Sequence, residues 1–342
     1  MQEYTVSREE SGQRLDKYLH RKLPLASSSF LYKMLRKKNI KLCGKKAEGS
    51  EKVAEGDLVT LYLSEETIRK FSAAEDSADR RREEEEDLAA YRKLQPLLGK
   101  EAVLYEDSEI LLVRKPAGVL SQRSAAGDLS MNEWLRGYLL ERGEVSEVYR
   151  PSVCNRLDRN TGGILLCAKT LQGSRALTEL LRGRTLRKTY RMIVHGQLRA
   201  PGRIEGDLIK DLQKNRVRTA AGKSAVEKSA AGEDREVRRH AVTVYRPLQA
   251  GKNATLVEAD LLTGRSHQLR VHMASIGNPI LGDPKYGDPR DRKDRRLRGQ
   301  LLWCAQIEFP GTDSGPEMQG VLAPLAGRVF SCPVPSWWES YL

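Results

Sequence analysis

The stretch CNRLDRNTGG, Cys154 to Gly163, sets one carboxylate, Asp158, between Arg156 and Arg159. Flanking cations favour the charged form of a carboxylate, and an ionised, positioned carboxylate is a nucleophile. The Thr161-Gly162-Gly163 turn that follows is poor in side chains, which would let a substrate backbone approach Asp158 closely. Two further stretches offer it partners. In RKTYRMIVHG, strand alternation puts Lys188, Tyr190, Met192 and Val194 on one face, so Tyr190 carries a hydroxyl on a mostly apolar surface. In LLTGRSHQLRVHMASIGNPILGDPKYG, Ser266 is placed to cap a helix ending at Gly277. Its buried stripe is Leu269, Met273 and Ile276, with His267, Arg270 and Ala274 on the adjacent flank. The Thr263-Gly264-Arg265 turn before it offers backbone amides to an anion. An arginine beside a core stripe is a fitting partner for a buried carboxylate.

These residues need a scaffold, and residues 99–342 read as one large domain. AVLYEDSEILLVRKPAGVL reads strand, turn, strand, and GGILLCAKT is a buried strand. LQGSRALTELLRG, Leu171 to Gly183, is a helix ended by its glycine, and HAVTVYRPL and NATLVEADLL are further strands. Strands outnumber helices and lie close in sequence. The expected fold class is therefore α+β, a mixed, mostly antiparallel sheet flanked by helices. No GxGxxG fingerprint or P-loop occurs, so no nucleotide cofactor is expected. The five cysteines are scattered without a CxxC pair, and His267 and His272 are spaced off a common helix face. No metal is expected, and the thiols fit a reduced, cytoplasmic setting.

The formal charge is +13, which points to a polyanion. No apolar run approaches a membrane span, and no basic amphipathic helix with a large apolar face is visible. RNA is thus favoured over a membrane. Residues 1–63 read as a small unit. RLDKYLHRKL has helical apolar spacing, Ser27-Ser28-Ser29 offer caps for a helix in FLYKMLRKKN, and VAEGDLVTLYL alternates as a strand. From Lys33 to Lys46 the chain carries cations and no acid, a phosphate-binding surface. Residues 64–98, with ADRRREEEEDLAAYRKL, read as a charged, partly helical tether with little core.

GQRLDKYL, SSSFLYKMLRKKNIKLCGKK and GDLVTLYL together resemble the S4 RNA-binding module over residues 12–63, with Cys43 where that family usually has Asn. The resemblance implies RNA contacts from Ser29, Lys33, Arg36, Lys37 and Lys38. Residues 102–335 resemble the RluA-type pseudouridine synthases. The family pattern HRLDxxTSG is present as NRLDRNTGG, KxY as Lys188-Thr189-Tyr190, and TGRTHQIRVHLA with HPIxGDxxYG as TGRSHQLRVHMA with NPILGDPKYG. The LLLHA element stands as LLWCA. Departures fall at Asn155, Gly162, Asn278 and Cys304. The resemblance implies that a uridine's N1–C1′ bond is broken and C1′ rejoined to C5. Asp158 would be the catalytic carboxylate, acting at the ribose or at the base. Arg270 would pair with it, and Tyr190 would stack on the uracil and help remove the C5 proton. Arg156 would fill the space of the flipped base or hold its phosphate, and Lys188, Arg265 and His267 would contact RNA. A large folded RNA, ribosomal ahead of transfer RNA, is the expected substrate, and the protein is expected to be a monomer. The other readings are a non-catalytic RNA-binding or ribosome assembly protein that retains the fold, and a carboxylate-based hydrolase, for which no second catalytic acid stands near Asp158.

Overall fold

The computed structural model describes the chain except residues 73–76, 126, 145–148, 212–215, 221–235 and 316–317. Near the N-terminus, β1 (Gln2–Thr5), β2 (Ile40–Leu42), β3 (Lys45–Lys46) and β4 (Leu58–Leu61) form an antiparallel sheet in the order β1-β4-β2-β3. Helices α1 (Leu15–Lys22) and α2 (Ser28–Arg36) cover it. Leu15, Leu19, Leu31 and Leu35 meet Val59 and Leu61 in a core separate from that of the large domain. The Ser27 side chain caps α2 by accepting from the Phe30 amide. The helix stops before Asn39, because Lys38 turns left-handed at φ 60°. Helix α3 (Glu65–Phe71) belongs to this unit too: Ile68 is in its core and the Phe71 ring lies 4.4 Å from Phe30.

The stretch read as a tether is different in kind. Residues 73–76 lie outside the described residues, but Ser77–Leu98 is a helix, α4, docked on α5 (Met131–Glu141). Asp87, Ala90, Leu94 and Leu98 are buried along one face at helical spacing. Asp87 accepts two hydrogen bonds from Arg136, at 2.7 and 2.8 Å, and Trp134 donates to Gln95 at 3.0 Å. The stripe begins with an acid that finds its cation on another helix, so hydrophobic spacing alone conceals it.

The large sheet has eleven strands: β5 (Val103–Glu106), β6 (Ile110–Lys115), β7 (Ser152–Val153), β8 (Gly162–Ala168), β9 (Arg187–His195), β10 (Gly202–Asp211), β11 (Arg216–Thr219), β12 (Glu236–Ala250), β13 (Ala254–Leu261), β14 (Leu302–Glu308) and β15 (Val329–Ser331). Its order is β11-β10-β12-β13-β9-β14-β8-β6-β5, with β15 beside β14 and β7 beside β8. The β8–β14 pair is parallel and the other pairs are antiparallel. The fold is therefore α+β with a mixed, mostly antiparallel sheet. Helix α6 (Leu171–Gly183) packs Leu177 and Leu180 into the same core. It ends through Arg184, left-handed at φ 61°, rather than through Gly183. Helix α7 is Gln268–Ser275.

Candidate active site

Four segments bring the site together. The first is the loop carrying Asp158, between β7 and β8. Its backbone is pinned at Leu157, whose amide donates to Ser121 Oγ at 3.0 Å and whose carbonyl accepts from it at 2.9 Å. At the loop's exit, the Thr161 amide closes a turn on the Asp158 carbonyl at 3.0 Å. A fully buried lysine, Lys115 at the end of β6, reaches under the loop. Its Nζ donates to the carbonyls of Pro116, Val119 and Arg159. Burial pushes the Lys115 ammonium down to about 7, against the pull of the Asp158 charge. Sequence reading missed this residue, because a lysine inside a hydrophobic strand reads as a register irregularity.

The glycines after Asp158 serve packing. A Cβ on Gly162 would fall 2.1 Å from the Trp303 ring, and one on Gly163, at φ 106°, 2.2 Å from the Cys304 carbonyl. They allow β8 to lie against β14 and are not the open approach for a substrate that the sequence suggested.

The second segment is α7. Arg270 is buried, and its NH1 donates to Asp158 Oδ2 at 2.9 Å. Its other nitrogens grip Asp283, Nε to Oδ2 at 2.6 Å and NH2 to Oδ1 at 2.8 Å. Asp283 is itself buried and also accepts from the amides of Lys285 and Tyr286. Burial opposes the charge of Arg270, but the hydrogen bonds and charges of Asp283 and Asp158 outweigh it and raise its pKa. For Asp283 burial works upward, yet Arg270 and the two amides bring the carboxyl below its ordinary value. Asp283 was not picked out in the sequence, where it sits in GDP as an ordinary turn aspartate.

Helix α7 departs from the sequence expectation in two ways. Its N-cap is His267, left-handed at φ 55°, and not Ser266; the buried Gln268 side chain ties the turn by accepting from Thr263 Oγ1 and the Arg265 amide. Leu269 and Met273 are buried as expected, but Ile276 is 37% exposed, and Gln268, Arg270, Val271 and His272 are buried instead. The helix is enclosed on most sides, so no single stripe marks its inner face. Burial drives His272 down to about 4, and its Nδ1 lies 2.9 Å from Thr243 Oγ1.

The third segment is β9. Tyr190 is buried and paired in register with Cys304 of β14. Burial first, and then the Cys304 thiol and the Asp158 carboxylate, push its hydroxyl well above the ordinary tyrosine value. Lys188, two residues along the same face, is lowered by burial. The fourth element is the His267–Tyr286 pair. His267 Nδ1 is 2.8 Å from the Tyr286 hydroxyl, and the Arg270 guanidinium lies over the Tyr286 ring at 5.2 Å. Burial lowers His267, and the Asp158 charge acts on it in the opposite direction.

Asp158, Arg270, Tyr190 and His267 thus share one site, with Lys188 at its edge. Arg156 is exposed on the Asp158 loop. Arg265 sits on the far side of the 263–267 turn, its Nε donating to the His240 carbonyl at 3.0 Å. Ser29, Lys33, Arg36, Lys37 and Lys38 are exposed together on α2 and its C-terminal turn, apart from this site. Three of the four departures from the family pattern have structural work: Asn155 accepts the Leu166 amide at 2.7 Å, Asn278 donates to the His195 carbonyl at 2.8 Å, and Gly162 clears Trp303.

Comparison with known proteins decides the family. Residues 109–275 match the family model for RNA pseudouridylate synthase. A ribosomal large subunit pseudouridine synthase C from Yersinia pestis is 30% identical over 96% of this chain and 93% of its own. The chain belongs to the RluA-type RNA pseudouridine synthases. Two other relatives of this synthase carry the same description. That from Haemophilus influenzae is 32% identical over 81% of this chain and 76% of its own, and that from Escherichia coli K12 is 31% identical over 80% and 76%. In fold, the synthase is similar to human RNA pseudouridylate synthase domain containing 4, with a TM-score of 0.55 at 20% identity over 74% of this chain and 94% of that one. No helix among the described residues is long and apolar enough to cross a membrane.

Proposed function

We propose that this synthase converts uridines in large-subunit ribosomal RNA to pseudouridine, with Asp158 as the catalytic carboxylate. The observation that carries the assignment is the chain Asp158–Arg270–Asp283. A guanidinium locked from behind by a buried carboxylate presents its remaining N–H to Asp158, and so fixes the direction of that side chain. Asp158 remains partly accessible, with 30% of its side chain exposed, as a group that must meet substrate requires.

In the proposed reaction the target nucleotide leaves the stack, and its ribose–base junction comes to Asp158. The N1–C1′ bond breaks, the base turns, C5 joins C1′, the C5 proton leaves and N1 takes one up. Tyr190 lines the pocket for the uracil ring and takes part at C5, Arg156 occupies the place of the flipped nucleotide, and the basic surface around Lys33 and Arg36 holds phosphates elsewhere on the RNA. No step requires a metal or a cofactor. The relatives' names support ribosomal RNA as the substrate, and that substrate supports a cytoplasmic location. The molecule is taken to act as a monomer.

The test is single-turnover conversion of ribosomal RNA fragments. Asp158→Asn should lose more than a hundredfold in rate while binding RNA as wild type does. A variant keeping more than a hundredth of the rate would rule out a nucleophilic Asp158.

A further inference from the structure

The β10–β11–β12 ribbon is an antiparallel extension at the far end of the sheet, and its two faces differ in charge. Alternation sends Glu205, Asp207, Arg238 and His240 to one face, where they pair with one another: Arg238 with Asp207 at 2.7 Å, and His240 with both acids. The other face turns toward α7. There Leu208 and Val217 pack with Ala241, Val271 and Tyr286. Between this face and the 264–266 turn lies a cavity of about 190 Å3, with Leu208, Val217 and Val237 as its apolar floor and Lys210, Arg239 and Arg265 around it. By the same measure a water takes roughly 10–15 Å3, so the space suits a group far larger than a solvent molecule. Among the described residues, Lys210, Arg239 and the neighbouring Arg184 have no carboxylate partner, and Val237 is an exposed apolar side chain. Burial first, and then the like charges of Arg184 and Arg239, depress the pKa of Arg265.

The geometry points to a nucleotide subsite in this cavity: a nucleotide next to the target uridine places its base on Leu208, Val217 and Val237 and its phosphate on Arg239, Arg265 and Lys210. An apolar floor under a cationic rim matches the two halves of an unstacked nucleotide. The location fits as well. Arg265 is five residues from Arg270, which limits their Cα separation to roughly 18 Å, and the turn that leads into them is tied to β12 by the Val242 amide on Thr263 Oγ1 at 2.8 Å. Arg265 at the subsite and the Arg270 that holds Asp158 therefore stand on one anchored segment. This inference rests on the proposed function and adds the part of the substrate that this ribbon reads.

The experiment uses the full-length protein and a ribosomal RNA fragment in which wild type forms pseudouridine. The same fragment is also made with the base removed from either neighbour of the target. Single-turnover rates against protein concentration give an apparent Kd and a limiting rate. Removing one neighbouring base should weaken wild-type binding about tenfold with little change in the limiting rate. Val237→Asn should weaken binding to intact RNA and make it nearly insensitive to that base removal. Arg239→Gln should weaken both RNAs and flatten the salt dependence by about one unit. The inference is overturned if neither base removal affects wild type, or if Val237→Asn and base removal multiply in full; either result leaves the cavity to some other occupant, such as a protein. Failure of wild type to form pseudouridine in any fragment would instead remove the proposed function, and this subsite with it.

Discussion

A single arginine, Arg270, binds two carboxylates, and its hold on Asp158 is backed by its grip on Asp283. Asp283 is fully buried, and breaking a buried ion pair by removing one partner costs about 3–5 kcal/mol. Asp283→Asn should therefore lower both stability and the conversion rate, with RNA affinity little changed. The pH dependence gives a sharper check. The folded pKa of Asp283 is depressed, so its stabilisation is present above the unfolded value near 3.9 and is lost as pH falls through the lower folded value. Wild type should thus lose stability on acidification below about pH 4 more steeply than Asp283→Asn, as read by thermal melts from pH 6 to 3. Lys115 acts on the other side of Asp158. Replacing it with Met leaves the carbonyls of Pro116 and Val119 without their donor, while that of Arg159 keeps the Gly118 amide at 2.9 Å. At about 1–3 kcal/mol for an unsatisfied buried group, Lys115→Met should lose at least ~2 kcal/mol in denaturant unfolding, and its conversion rate should fall as the loop loosens.

At the scale of elements, α4 shows how a charged sequence becomes core. The helix lies close to α5 because Gly137 has no side chain: a Cβ there would fall 2.2 Å from the Asp87 carbonyl and 2.6 Å from the Tyr91 Cβ. Gly137→Ala should force the helices apart and cost about 1–3 kcal/mol. In an exposed helix the same change would be stabilising, since alanine is the better helix former. The direction of the shift in melting temperature therefore tests the packing directly. Helix α7 makes the complementary point. It is eight residues long with six of them buried, and it holds Arg270 through enclosure and not through amphipathic spacing.

For the whole molecule, the net charge of +13 is unevenly used. Many cations of the large domain pair with carboxylates, as Arg136, Lys169 and Arg270 do, whereas Lys33, Arg36, Lys37 and Lys38 form an exposed group on the small unit. The small unit also meets the large domain: Arg175 of α6 donates to the Ser11 carbonyl at 2.6 Å, and Gln172 to the Arg8 carbonyl at 3.0 Å. Replacing the four cations with Gln should flatten the plot of log affinity against log salt by about three units, at roughly 0.7–0.9 per phosphate contact. The limiting single-turnover rate should stay as in wild type. An unchanged slope in filter-binding titrations would make this run a solvated helix face.

The sequence by itself determined the family, the fold class and three of the residues now seen with Asp158, namely Tyr190, His267 and Arg270, since these depend on residue type at fixed spacing and survive without coordinates. Alternation along β9 placed Tyr190, and the position of Arg270 beside Leu269 and Met273 placed it against the core. What only the tertiary structure decided concerns partners far apart in the chain. Asp283 becomes the anchor of Arg270 because the chain just before it is held on β9, the Leu281 amide donating to the Ile193 carbonyl at 2.8 Å. Lys115 finds carbonyls of its own loop and of Arg159, 44 residues on. Gly162 and Gly163 are dictated by Trp303 and Cys304 on a strand about 140 residues away, joined to β8 by the parallel pairing. Asp87 reads as one more charge in an acidic run until Arg136 covers it. Local pattern fixes which side chains face inward, while buried charges and bare glycines acquire a reason only when the surface they meet is known.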